Sequence, residues 1–223
     1  MGMKRNVASC FWLTIIILSY LGLAGCAGSK TYLLHLSYDP AKTPPFLSGG
    51  SKPLTLALYN FQDARPDRLY LGRRVYRDGM VDFFKADGGT VEQVVTKSLT
   101  QMLEQAGFKV TMVNRYLDPS KEDFKDIPAD VAFGGRIEAL WIEAKTGLAT
   151  TDTTARMSIR VNWGLVKEKT WISKSIEGTA QETDRPLYQP RHAEALINDV
   201  FKDGFDKLLK EETLLREKLL QGK

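Results

Sequence analysis

Cysteine is nearly absent from this chain: of 223 residues, two are cysteines, Cys10 and Cys26. With Cys10 inside an apolar stretch near the N-terminus, a disulfide framework and an all-cysteine metal site are both excluded. Histidine is as scarce, His35 and His192 alone, so a zinc site would need carboxylates that no motif singles out, and no metal or cofactor is expected. No Gly-x-Ser-x-Gly elbow, His-Glu-x-x-His pair or Gly-x-x-x-x-Gly-Lys-Ser/Thr loop occurs. No catalytic residue can therefore be nominated, and the expectation is a protein that is not an enzyme. An excess of one charge is missing as well. The net charge is +4, and Lys4 and Arg5 lie in the leader described next, which leaves 29 basic against 27 acidic residues; that is too balanced for a nucleic-acid partner. Finally, the apolar run from Cys10 to Leu21 is about a dozen residues, whereas a helix spanning a bilayer needs about 20.

What is present begins with a targeting pattern: a basic start (Met1 to Arg5), that short apolar core centred on Ile15 to Leu18, and then Leu23-Ala24-Gly25-Cys26. The pattern is that of a cleaved leader. Its last four residues resemble the bacterial lipobox, and the resemblance implies removal of residues 1–25 and a covalent lipid on the thiol of Cys26. Small side chains at Ala24 and Gly25 let the backbone enter a peptidase cleft. At about 0.8 kcal/mol per buried CH₂, two or three acyl chains hold a protein on a membrane without a spanning helix. By resemblance to Gram-negative sorting, Asp after the cysteine would mark the inner membrane. Ala27 stands there, implying the periplasmic face of the outer membrane.

Residues 26–53 are rich in Gly, Ser, Lys and Pro, a tether composition, interrupted by a short strand candidate from Tyr32 to Tyr38 that would dock part of it. As a free coil of about 25 residues it would span roughly 28 Å. A globular domain over 54–223 follows. Leu54 to Phe61 is apolar on both faces, as a central strand requires; Gln62 to about Gly88 reads as a polar loop. Thr90 to Ala106 has the three-four spacing of an amphipathic helix, with a Thr90/Gln93 capping box and Gly107 as its stop. Phe108 to Val113 is the next strand. Beyond a polar loop, three extended segments (129–144, with Val131, Phe133, Ile137 and Trp141 at even spacing; 154–167; 171–183) read as an antiparallel meander, and a helix from about Pro190 to Leu220 closes the chain. The fold class expected is α/β: one domain, a β-α-β unit, then a meander and a C-terminal helix, with a mixed sheet covered by helices.

The string from Leu54 to Asp67, with Asp63-Ala64-Arg65 inside it, then Leu71-Gly72-Arg73, the helix ending at Gly107 and Phe108-Lys109-Val110 resemble the YajG-type family of bacterial lipoproteins over residues 54–183. A broader likeness runs to the TolB N-terminal type of α/β fold, shared by the curli-secretion lipoprotein CsgG and the LpoB activators of peptidoglycan synthases. The resemblance implies a fold and an envelope location, and a structural Asp63–Arg65 pair in the turn, but no activity.

The polar segment also holds Arg68, Arg73, Arg74 and Arg77, candidates for binding an anionic partner because guanidinium groups match planar anions; the competing account is Arg–Asp pairs that brace the loop. Asp87-Gly88-Gly89-Thr90 before a helix could hold an anion or be a plain junction. Trp163 shares a face with Ile159 and Val161 and is expected in the core. The function expected is a lipid-anchored protein that binds another envelope protein or a peptidoglycan-associated partner through a sheet edge or the arginine segment. The alternatives are an oligomeric secretion-pore subunit and a peptidoglycan-synthase activator.

Overall fold

A computed structural model describes residues 28–38 and 53–210. Cys26, Ala27 and the leader lie outside the described residues, as do residues 211–220 of the expected C-terminal helix. The strands are β1 (Thr31–Leu34), β2 (Thr55–Asn60), β3 (Gln62–Asp63), β4 (Gly72–Val75), β5 (Val81–Ala86), β6 (Lys109–Tyr116), β7 (Val131–Thr146), β8 (Thr151–Leu165) and β9 (Thr170–Arg185); the helices are α1 (Val91–Gln105) and α2 (Pro190–Lys210). The α/β class is as expected, one mixed sheet with both helices on one face.

β7 is the spine. Along one edge it pairs antiparallel with β8, which pairs antiparallel with β9. Along its other edge the chain from Thr55 to Val75 runs parallel to it in three pieces: β2 beside Val131–Phe133, β3 beside Arg136–Ile137, and β4 beside Ile142–Lys145. β5 returns antiparallel to β4, β1 adds parallel to β5, and β6 adds parallel to β2. The expected polar loop from Gln62 to Gly88 is thus largely sheet. Its strands escape notice in the sequence because β3 and β4 are two and four residues long, and Arg73 and Arg74 point to Glu143 and Thr146 rather than to a core.

The helix-covered face is the main core. Phe133 and Trp163 sit 4.1 Å apart between ring centroids, with Phe61 and Phe108 against them. α1 has the expected box, Thr90 accepting from the Gln93 N–H and Gln93 accepting from the Thr90 N–H. It buries Val91, Val95, Leu99, Met102 and Leu103; α2 buries Ala193, Ile197, Val200, Phe201, Phe205 and Leu208. On the opposite face, the loop after β6 packs Ile127 against Ala57, Tyr59 and Ala132, with Phe124 stacked on Trp171. The remainder of that face is wet, carrying Arg136, Arg156 and Arg160 exposed and Glu143 in part.

Even spacing fails at one place in β7. Ile137 pairs with Ile159 and Ala139 with Ser158, so Glu138 is an extra residue, a bulge that turns the rest of the strand over. Leu140, Ile142 and Ala144 therefore enter the core. Trp141, expected beside Ile137, lies half-buried on the other face. Glu138 has its own use there: Arg136 and Arg160 face each other across the strands, and both guanidinium groups reach its carboxylate.

The strand candidate near the N-terminus is real. Thr31–Leu34 is hydrogen-bonded to β5, and Leu34, Leu36 and Tyr38 are buried. Beyond β1, α2 side chains act as a substitute strand: Glu194 accepts the His35 N–H at 2.8 Å, Asn198 accepts the Ser37 N–H at 3.1 Å, and the Asn198 amide donates to the His35 carbonyl at 2.9 Å. Residues 28–38, read as part of a tether, are therefore built into the body.

Candidate functional site

The residues of the arginine segment divide by what holds them. Arg65 is the buried member. Between the Ala64 N–H, which donates to the Ile137 carbonyl, and the Leu71 carbonyl, which accepts from Ile142, the ladder along β7 is interrupted by residues 65–70, and the Arg65 fork fills the gap. Nε and Nη2 donate to the two oxygens of Asp63 at 2.9 and 2.8 Å; Nη1 donates to the Tyr70 and Leu140 carbonyls at 3.0 and 3.2 Å, and Nη2 to the Arg68 carbonyl at 3.3 Å. The Leu140 carbonyl faces a gap that no strand fills, so the guanidinium supplies the donor β7 lacks there. The structural pairing of Asp63 with Arg65 is as the resemblance implied.

The four candidates for anion binding do not converge. Arg73 is on the wet face, its Nε and Nη2 both on Glu143 at 3.2 and 3.0 Å. Arg74 points the opposite way, half-buried, with Nε on Thr146 at 2.8 Å and its guanidinium 4.4 and 4.7 Å from the ring centroids of Tyr76 and Tyr188. Burial pushes both tyrosine hydroxyls up to about 12; for Tyr76 the hydrogen bond it donates to Asp82 adds to this. Arg77 is exposed in the β4–β5 turn. Arg68 lines a shallow groove of about 460 Å³ with Leu33, Lys85 and the Gly88–Val91 junction. The four side chains thus do not form one cluster: Arg73 and Arg74 are engaged within the body, and Arg68 and Arg77 lie apart from them.

A second groove was not anticipated from sequence. It has a volume of about 510 Å³ and lies between α1 and β6, lined by Asn60, Gln93, Thr96, Met112, Asn114 and Tyr116 among others. Its outer wall is β6, which among the described strands pairs with β2 alone. The Lys109 N–H donates to the Leu54 carbonyl at 2.8 Å; by strand alternation Lys109, Thr111 and Val113 turn their backbone groups toward β2, while Val110 and Met112 turn theirs outward. Met112 and Tyr116 are 43% and 52% exposed. The available signal was polar residues on both faces of the strand, Lys109, Thr111 and Arg115 on one and Asn114 on the other, which a strand enclosed in the sheet would not carry.

No family model and no curated protein sequence matches the chain. Its YajG-type resemblance stays one of short motifs. Among solved structures it is similar to a protein of the family designated DUF330 from Xanthomonas campestris (11% identity, 87% of this chain and 100% of that one, TM-score 0.45). It is likewise similar to a neuraminyllactose-binding hemagglutinin homolog from Helicobacter pylori (14% identity, 86% of this chain and 100% of that one, TM-score 0.45). A lipoprotein from Neisseria meningitidis is matched over 66% of this chain and 98% of that one, at 11% identity and TM-score 0.35. At such scores the function has to be argued from the chain's own residues. Among the described residues no helix is long and apolar enough to cross a membrane, and no group of three or more His, Cys, Asp or Glu could hold a metal ion.

Proposed function

We propose that this is a non-enzymatic envelope lipoprotein, anchored by lipid on Cys26 to the periplasmic face of the outer membrane, which binds another envelope component along the edge of β6. The observation that carries the binding reading is that unpaired edge, flanked by a groove. A row of outward N–H and C=O groups is a template for an added strand, and the groove offers Met112 and Tyr116 to its side chains. The β9 edge is longer and carries Lys174, Glu177, Glu182 and Asp184, charges that discourage strand addition; β6 carries Lys109 and Arg115, and what favours it is the groove beside it, about 510 Å³ against about 180 Å³ beside β9.

Two rival readings lose support. A pore subunit needs strand faces that are apolar for about ten residues, and the wet face carries Arg136, Arg156 and Arg160. An activator working across the periplasm needs reach. The chain is docked from Ser29, whose hydroxyl bonds the Val81 carbonyl, and the three residues from Cys26 to Ser29 extend at most about 10 Å.

The test is a photo-crosslinking residue at Met112, Tyr116 or, as control, Glu168 in intact envelopes. Adducts at 112 and 116 but not at 168 are expected, and Met112→Pro should abolish the adduct at 116, because it removes an outward N–H while leaving the β2 ladder intact. The same adducts at all three positions, or an adduct indifferent to the proline, would refute the edge as the binding surface.

A further inference from the structure

One end of the sheet gathers four chain segments. β1 enters there, beside the start of β5; the β4–β5 turn lies there, since Val75 pairs with Val81; the β7–β8 turn is level with it, since Val75 also pairs with Lys145; and β9 ends there, Arg185 opposite Thr151. The two most exposed large apolar side chains of the described residues both sit at this end: Leu148, 85% exposed in the β7–β8 turn, and Leu187, 88% exposed in the loop before α2; Met80 of the β4–β5 turn, at the same end, is 43% exposed. Leu187 also has φ of 51°, a left-handed conformation that a branched side chain rarely adopts.

The composition of these tips is unusual for turns. From Thr146 to Thr151 and from Pro186 to Pro190 there is no charged residue, and of the turns at this end only the β4–β5 turn carries charge, Arg77 and Asp78; the β8–β9 turn at the opposite end of the sheet is Lys167-Glu168-Lys169. Turn residues are ordinarily polar, and an exposed apolar patch on an otherwise polar molecule marks a contact.

We propose that this end is a membrane-seating face, with Leu148 and Leu187 inserted among the lipid headgroups. The occupant follows from where the chain ends. Ser29 bonds the Val81 carbonyl, the Lys30 N–H donates to Asp82 at 2.8 Å, and the Lys30 carbonyl accepts from Phe83 at 2.8 Å. The chain leaves the body at the β4–β5 turn, and Cys26 can stand no more than about 10 Å from Ser29. Acyl chains on Cys26 therefore bring this end, and no other, against the bilayer. The proposal rests on the anchor reading and adds to it that the body has one orientation on the membrane.

The experiment uses the lipidated protein in vesicles of phosphatidylethanolamine and phosphatidylglycerol. After processing and lipidation the chain has no free thiol, so Leu148→Cys, Leu187→Cys and Glu168→Cys each give a single labelling site for a fluorophore. Labels at 148 and 187 should be quenched by lipid-borne nitroxide and be several-fold less accessible to iodide than the label at 168. Fatty-acid labelling of the same preparations separates the layers of the claim. Lipid on Cys26 with all three labels equally open to iodide overturns the seating face alone; absence of lipid overturns the anchor and the seating face together.

Discussion

Replacing Arg65 by Leu isolates what a buried guanidinium contributes. The side chains of Arg65 and Asp63 are 2% and 5% exposed. Removing the cation strands a carboxylate in the protein interior and withdraws the donor from the Leu140 carbonyl. Breaking one side of a buried ion pair costs about 3–5 kcal/mol, against a total stability of about 5–15 for an ordinary domain. Arg73→Leu is the internal control, since its pair with Glu143 is 48% and 29% exposed and exposed pairs are worth about 0–1 kcal/mol. The double variant Asp63→Leu, Arg65→Leu should recover the stranded-charge part but remain below wild type by about 1–3 kcal/mol, the cost of an unsatisfied buried carbonyl. Equilibrium urea unfolding followed by tryptophan fluorescence measures all four proteins. If Arg65→Leu costs no more than Arg73→Leu, the fork does not hold the gap in the ladder.

Leu56 is fully buried and Arg160 exposed, so Leu56→Asp should unfold the domain while Arg160→Asp keeps its melting temperature within a few degrees; similar melting of the two variants would refute the assignment of faces. A Cβ on Gly72 would lie 1.9 Å from the Ile142 carbonyl oxygen, so Gly72→Ala should cost about 1–3 kcal/mol or more through forced backbone displacement, and an unchanged urea midpoint would count against the β4–β7 register. For Tyr76 and Tyr188, both pushed up to about 12, the sign is that of an acid held neutral when folded. Their contribution is complete below the ordinary value near 10 and is lost as pH rises from there through 12. Ultraviolet titration should show these two, with Tyr59, whose hydroxyl burial also pushes up, ionising late and together with alkaline unfolding; all seven tyrosines left after removal of residues 1–25 titrating near 10 in folded protein would show that the burial is wrong.

How much of this was legible depended on the length of each signal. α1 was read to within a residue because seventeen positions of three-four spacing, a capping box and a stop glycine agree over one stretch. β8 was equally plain, its wet and buried residues alternating without a fault from Thr151 to Val161. β3 and β4 were lost because they are two and four residues long and β4 carries two arginines; β5 was lost because its buried face is Asp82, Phe84 and Ala86, with a carboxylate where an apolar residue is expected, although Asp78-Gly79 between Val75 and Val81 is a hairpin turn signal. Trp141 was assigned to the wrong face for a different reason. A bulge has no composition of its own, and Glu138 changes the parity of everything after it. The Arg65 fork was half legible: its partner Asp63 is two residues away, but its second function needs the Leu140 carbonyl, 75 residues distant.

The length of β7 relates the two proposed surfaces. β2 lies beside its first residues, Val131 to Phe133, with β6 beyond β2, and the apolar tips lie beyond its last, Thr146. Thirteen residues separate Phe133 from Thr146, and at about 3.3 Å each that is roughly 40 Å of strand. A body seated by Leu148 and Leu187 would therefore hold the β6 edge well clear of the bilayer, although the proposed anchor is short. Reach supplied by a rigid strand rather than by a coil has a mechanical consequence: the binding edge keeps one distance and one orientation relative to the membrane. Inserting flexible residues between Cys26 and Ser29 should weaken partner capture at β6 if that fixed geometry matters, because an edge free to tumble presents itself to a membrane-held partner only part of the time. Capture that is unchanged by such an insertion would mean the anchor confines the protein to the membrane without orienting it.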